Sequence, residues 1–120
     1  MDKPIRLSQV SSPRQHLVRL CQSINYGSLH DLPLENSEPV LVPQTLIVLV
    51  DVRLDSVEHG REELGIDDFT LCAEVARLML LLDQIENGTI SRIEVRAGIP
   101  RRITLKKHLK EFACCEAGRI

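Results

Sequence analysis

The side chains best equipped for chemistry are four cysteines (Cys21, Cys72, Cys114, Cys115) and four histidines (His16, His30, His59, His108). A structural zinc site takes its thiolates and imidazoles in pairs two to four residues apart. Cys114 and Cys115 are adjacent and offer no such clasp. Cys21 and Cys72 fall on apolar helical stripes, where a free thiol behaves as a small hydrophobe. The same spacings propose no disulfide framework. Nucleophilic catalysis has no strand–turn–helix nucleophile motif, Gly-rich phosphate loop or His-containing metal signature to work from. The histidines are scattered over segments read as loops or exposed faces. The acidic run Asp55, Glu58, Glu62, Glu63, Asp67 and Asp68 lacks the Asp spacing of a calcium loop. It reads as a solvated connector. No catalytic residue, metal ligand, cofactor or small-molecule substrate is expected, and the chain is read as a non-enzyme.

One surface does stand out. With Ile93 and Val95 turned inward, strand alternation turns Arg92, Glu94 and Arg96 outward. On the return strand Ile103 and Leu105 point in, so Arg102, Thr104 and Lys106 point out, with Arg101, Lys107 and Lys110 nearby. Such a face can be merely solvated, can contact a phosphate backbone, or can meet an acidic protein surface. An acidic surface is at hand in the chain itself. Residues 1–88 carry seven Lys/Arg against fourteen Asp/Glu, whereas residues 89–120 carry eight against three. Aromatics are limited to Tyr26, Phe69 and Phe112, so platforms for stacking single-stranded bases are nearly absent.

The elements that must hold this face follow from periodicity. Ser12-Pro13 starts a helix over 13–25, with Leu17, Leu20, Cys21 and Ile24 on one side and Gly27 suited to its left-handed cap. Leu32 and Leu34 share a strand face, 35–38 is a turn, and Val40–Val42 return; Pro43 interrupts any ladder there. Thr45–Arg53 is β-rich and apolar on both faces, as suits a central or covered strand. Asp67 or Asp68 caps a second helix over 69–86. Its run Leu78, Met79, Leu80, Leu81, Leu82 is apolar all round, so either the helix is central to the fold or part of this run is a self-association surface, for which these five are the candidates. Leu105, Leu109 and Phe112 mark a short C-terminal helix.

Shifting the chain by 61 places residues 17–42 on 78–103, with identities at Leu17/Leu78, Leu20/Leu81, Ile24/Ile85, Gly27/Gly88 and Pro39/Pro100. The expected fold is therefore α+β: duplicated helix–β-hairpin units forming a four- or five-stranded antiparallel sheet, two helices on one face and a short C-terminal helix. In domain terms the 120 residues form one unit. It comprises a flexible leader (1–12), a first repeat (13–53), an acidic connector (54–68), a second repeat (69–105) and a basic tail (106–120).

The run Leu20-Cys-Gln-Ser-Ile-Asn-Tyr-Gly-Ser-Leu, continuing into a hairpin, resembles the YezD-like family of very short bacterial proteins. Their pattern is a helix, an aromatic-Gly-Ser/Thr-aliphatic step, and two strands around a polar turn. The second copy matches through Gly88-Thr89-Ile90 and the turn glycine Gly98, with Asn87 at the aromatic position; the first has Tyr26, but Ser37 in place of the turn glycine. The resemblance covers about half the chain and implies the fold and a bacterial origin, with no activity attached.

The N-terminus lacks the apolar core of a signal peptide, and runs such as Leu46–Val50 are too short to span a bilayer, so a cytoplasmic location is expected. The expected function is protein–protein interaction, including a homodimer. The alternative is nucleic-acid binding through the basic hairpin and tail.

Overall fold

In the computed structural model, which describes residues 5–55 and 65–106, helix α1 (Ser12–Ile24) starts one residue before the expected place. Ser11, not Ser12, is the N-cap: its hydroxyl accepts from the Arg14 N–H, and Pro13 sits in the first turn. Leu17, Val18, Cys21 and Ile24 are buried along one side. The helix ends at Asn25 (φ 64°, ψ −63°), where the Tyr26 N–H donates to the Ile24 carbonyl at 2.7 Å. That is a γ-turn of the rare left-handed kind. Helix α2 (Ala73–Ile85) ends in the same way at Glu86 (φ 62°, ψ −68°), with the Asn87 N–H on the Ile85 carbonyl at 2.7 Å. The left-handed residue that ends each helix is thus Asn25 or Glu86, and not the glycine two positions on.

Gly27 is needed for a different reason. A Cβ there would lie 2.0 Å from the Leu49 carbonyl oxygen, which passes directly over it. At Gly88 the nearest such atom is Ile85 Cγ2 at 3.7 Å.

The strands are β1 (Gly27–Glu35), β2 (Glu38–Pro39), β3 (Ile47–Val50), β4 (Gly88–Arg96) and β5 (Ile99–Leu105). All pair antiparallel in one sheet of order β2-β1-β4-β5, with β3 alongside β2 on the same flank of β1. Central strands β1 and β4 run from Gly27 opposite Val95 to Leu34 opposite Gly88. Both hairpins turn through two residues of positive φ, Asn36-Ser37 and Ala97-Gly98, the conformation that matches strand twist in a tight hairpin. The Ser37 N–H donates to the Glu86 carbonyl (2.6 Å) and the Gly98 N–H to the Asn25 carbonyl (2.8 Å). The caps, turns and these crossing bonds all recur at the 61-residue offset.

The fold is α+β: two helices and a curled five-stranded antiparallel sheet. The stripes of both helices meet Leu29, Leu32, Leu34, Ile90, Ile93 and Val95 in a single aliphatic core.

Three expectations need correction. The leader is structured from residue 5: Leu7 is buried, and Leu7 N–H to Phe69 O and Leu71 N–H to Ile5 O tie it to 69–71. That pairing holds Phe69–Leu71 extended, so α2 starts at Ala73 with Cys72 as N-cap. Asp68 does not cap it; its carboxylate accepts from Arg6 Nε and the Ser8 N–H instead. Leu105 ends β5, the return strand on which it was expected, and Leu109 and Phe112 of the expected C-terminal helix lie outside the described residues. Finally, β3 is neither central nor covered. It lies at the edge of the sheet with all four side chains exposed.

Candidate interaction surface

The basic hairpin forms as expected, but ion pairs occupy much of it. Arg92 and Arg96 flank Glu94 at 3.7 and 3.8 Å, so one carboxylate is shared by both guanidiniums and cancels one of their two charges. Arg101 turns toward α2 and pairs with Glu74 at 2.7 Å. Glu74 is held below the ordinary carboxylate range first by its own N–H at the helix start and then by the Arg101 charge. Arg102 and Lys106 are exposed, while Lys107 and Lys110 lie outside the described residues. The face thus carries less net charge than its arginine count implies.

The self-association candidates on α2 divide. Leu78, Met79 and Leu82 are buried in the chain's own core, Leu81 is half-buried, and only Leu80 is exposed, at 58%. A run apolar all round was expected to leave a second face for another chain. The fold turns three of the five inward instead, leaving one leucine outside. What remains of the candidate surface is therefore Leu80 with the half-buried Leu81.

On the outer sheet face the Ser28 hydroxyl lies 2.7 Å from His30 Nε2, with Arg92 across the ladder from His30. A cavity of about 250 Å³ beside this pair is lined by Tyr26, Asp51, Arg92, Glu94 and Arg96 among others. Among the described residues no carboxylate hydrogen-bonds the histidine, so the pair lacks the third group that orients a base toward its nucleophile. Nor do any three His, Cys, Asp or Glu side chains among them gather to hold a metal. Cys21 is sealed in the core, where burial pushes its thiol up to about 12, which removes it from thiolate chemistry.

The feature left is β3. Ile47, Val48, Leu49 and Val50 are 37 to 55% exposed, and the apolar run continues through Val52 and Leu54. Among the described residues β3 pairs with β1 alone. Its inner hydrogen bonds are set by register. The Asp51 N–H donates to the Tyr26 carbonyl (2.7 Å), and the Leu49 carbonyl faces β1 over Gly27. Alternate residues of a strand bond to alternate sides. The N–H and C=O groups of Val48 and Val50 therefore point away from the sheet. Among the described residues β3 thus presents apolar side chains on both faces and an unpaired backbone row between them.

The opposite edge is built otherwise. β5 carries Pro100, Arg101 and Arg102, and its ladder with β4 has two register shifts, features that blunt an edge against further pairing. The apolar run of β3 was legible in the sequence. That no element among the described residues covers it was not. Among the described residues no helix is long and apolar enough to cross a membrane. Comparison with protein families, with curated proteins and with solved structures finds no match.

Proposed function

We propose that this is a protein-interaction module that binds by strand addition to the open edge of β3. The observation carrying this reading is the pairing of exposed apolar side chains with outward backbone donors and acceptors at Val48 and Val50. Strand addition uses both: main-chain bonds give affinity, and alternate side chains give selectivity. In this reading the two helix–hairpin units, products of a duplication, form the platform that holds β3 at its margin. Support for the phosphate reading is reduced by Glu94 and Glu74, which between them cancel two of the three charges of Arg92, Arg96 and Arg101. The YezD-like resemblance brings no activity to weigh against either.

Affinity capture from a native bacterial lysate tests this, with wild-type and Val50→Lys baits and both protein and nucleic acid analysed. Protein should be retained by the wild type in high salt and lost with the lysine, which sets a charge in the apolar row. Retention of nucleic acid by both baits, released steeply by salt as phosphate contacts are, would refute it.

A further inference from the structure

We infer that the strand completing the open edge is β3 of a second copy, paired antiparallel about a two-fold axis at Leu49. This rests on the edge-strand reading above and names its partner. A two-fold pairing of identical antiparallel strands must centre on a residue, because opposed side chains share a face. Centring on Leu49 sets Val48 opposite the partner's Val50, and Val50 opposite the partner's Val48. These are the two residues whose N–H and C=O groups point outward, so the backbone donors and acceptors of both edges are satisfied by each other.

The side chains agree with that register. Val48 and Val50 meet their counterparts on the helix side, and Leu49 meets Leu49 on the other. The nearest charge, Asp51, falls opposite Ile47. No like charges oppose across the new ladder, the arrangement that would weaken it. A foreign peptide added to an edge is selected by pockets for its alternate side chains. β3 offers aliphatic side chains on both faces, and a strand with the same rows matches them. Val52 (71% exposed) and Leu54 (95%) follow the strand and extend the apolar surface beyond the ladder. The contrast between edges points the same way. Pro100, Arg101, Arg102 and two register shifts guard β5, and nothing comparable guards β3. The isologous contact also closes on itself, because each copy contributes its single β3 edge to the pair, so association stops at two copies.

The test uses the purified full chain. Light scattering at micromolar concentration should give the mass of a dimer. Val50→Pro should give a monomer with an unchanged circular dichroism spectrum, because the N–H it removes makes no bond within the chain's own sheet. Val50→Lys should behave alike if proline disturbs the strand. Leu49→Cys, with Cys114 and Cys115 changed to serine, should crosslink under mild oxidation, since opposed non-hydrogen-bonded Cβ atoms lie about 4.5–5.5 Å apart. Ile47→Cys in the same background should not, its two thiols being four residues apart along the ladder, about 13 Å. A monomer at every concentration, or crosslinking through residue 47 but not 49, overturns the proposal. If the purified chain is monomeric while lysate capture remains β3-dependent, only the self-pairing fails. If neither association nor β3-dependent capture is seen, the wider reading falls with it.

Discussion

Replacing Arg14 with methionine should destabilise the fold far more than its surface position in the first turn of α1 implies. The side chain is only 12% exposed. It passes between the two units and donates to the Ser37 carbonyl (2.9 Å), the Met79 carbonyl (3.3 Å), Glu38 Oε1 (3.1 Å) and Asp83 Oδ1 (2.5 Å). One guanidinium therefore joins α1, the β1–β2 turn and the last turns of α2. Losing a charged donor from the Ser37 carbonyl costs about 1.5–3 kcal/mol. The carboxylates of Glu38 and Asp83 are 38 and 60% exposed and rehydrate easily, so each adds at most about 0.5–1 kcal/mol. The Met79 bond is long and adds little. The sum is about 2–4 kcal/mol, a large part of the roughly 5–15 kcal/mol that holds a domain together. Methionine preserves most of the aliphatic stem, so the loss reports the polar contacts. Urea unfolding should show a lower midpoint with an unchanged slope. Arg92→Met is the control: its 3.7 Å pair with Glu94 is exposed and should cost about 0.5 kcal/mol or less. Equal midpoints for the two variants would refute the keystone role of Arg14.

Gly27→Ala should cost about 2 kcal/mol or more and detach β3, because its Cβ would lie 2.0 Å from the Leu49 carbonyl oxygen; Gly88→Ala should cost less in the same melts. Asp68 is held at about 2, against an ordinary 3.8, chiefly by the Arg6 side chain and then by the Ser8 N–H. A depressed carboxylate stabilises the fold above its unfolded value, and that contribution is lost as pH falls from about 4 toward 2. Melting temperature should drop across that window in the wild type and drop less in Asp68→Asn. Cys21 should resist thiol labelling at pH 8 in the folded chain while half-buried Cys72 reacts, with mass spectrometry of digested protein locating the label.

The parts legible in the sequence were those fixed by neighbours along the chain. The three- and four-residue spacing of Leu17, Cys21 and Ile24, and of Val75, Leu78 and Leu82, places both helix stripes inside. Alternation around Ile93 and Val95 gives the correct inner face of β4. The misread parts depend on contacts far apart in sequence. Phe69–Leu71 extends the second helix by pattern, yet hydrogen bonds to Ile5 and Leu7 draw it into an extended pair. Arg14 reads as a surface residue; its partners are 23 to 69 positions away. Apolarity on both faces of β3 says that burial is favourable, but not whether the chain itself supplies the cover. The same limit applied to Leu78–Leu82, where the fold hides three side chains that were assigned to a partner. Charge counting overestimated the basic hairpin for a related reason: Glu74 reaches Arg101 only once α2 packs beside β5.

The central claim is that the outward backbone of β3 is covered by a second copy, and amide hydrogen exchange at Val48 and Val50 tests it most directly. Those two N–H groups point away from β1 and meet no partner among the described residues, whereas the Ile47 and Leu49 amides face β1. Resolved by NMR across a dilution series, Val48 and Val50 should become protected as the chain passes from monomer to dimer, while Ile47 and Leu49 stay protected throughout. Fast exchange at Val48 and Val50 at every concentration, or protection already complete in the monomer, would contradict the claim.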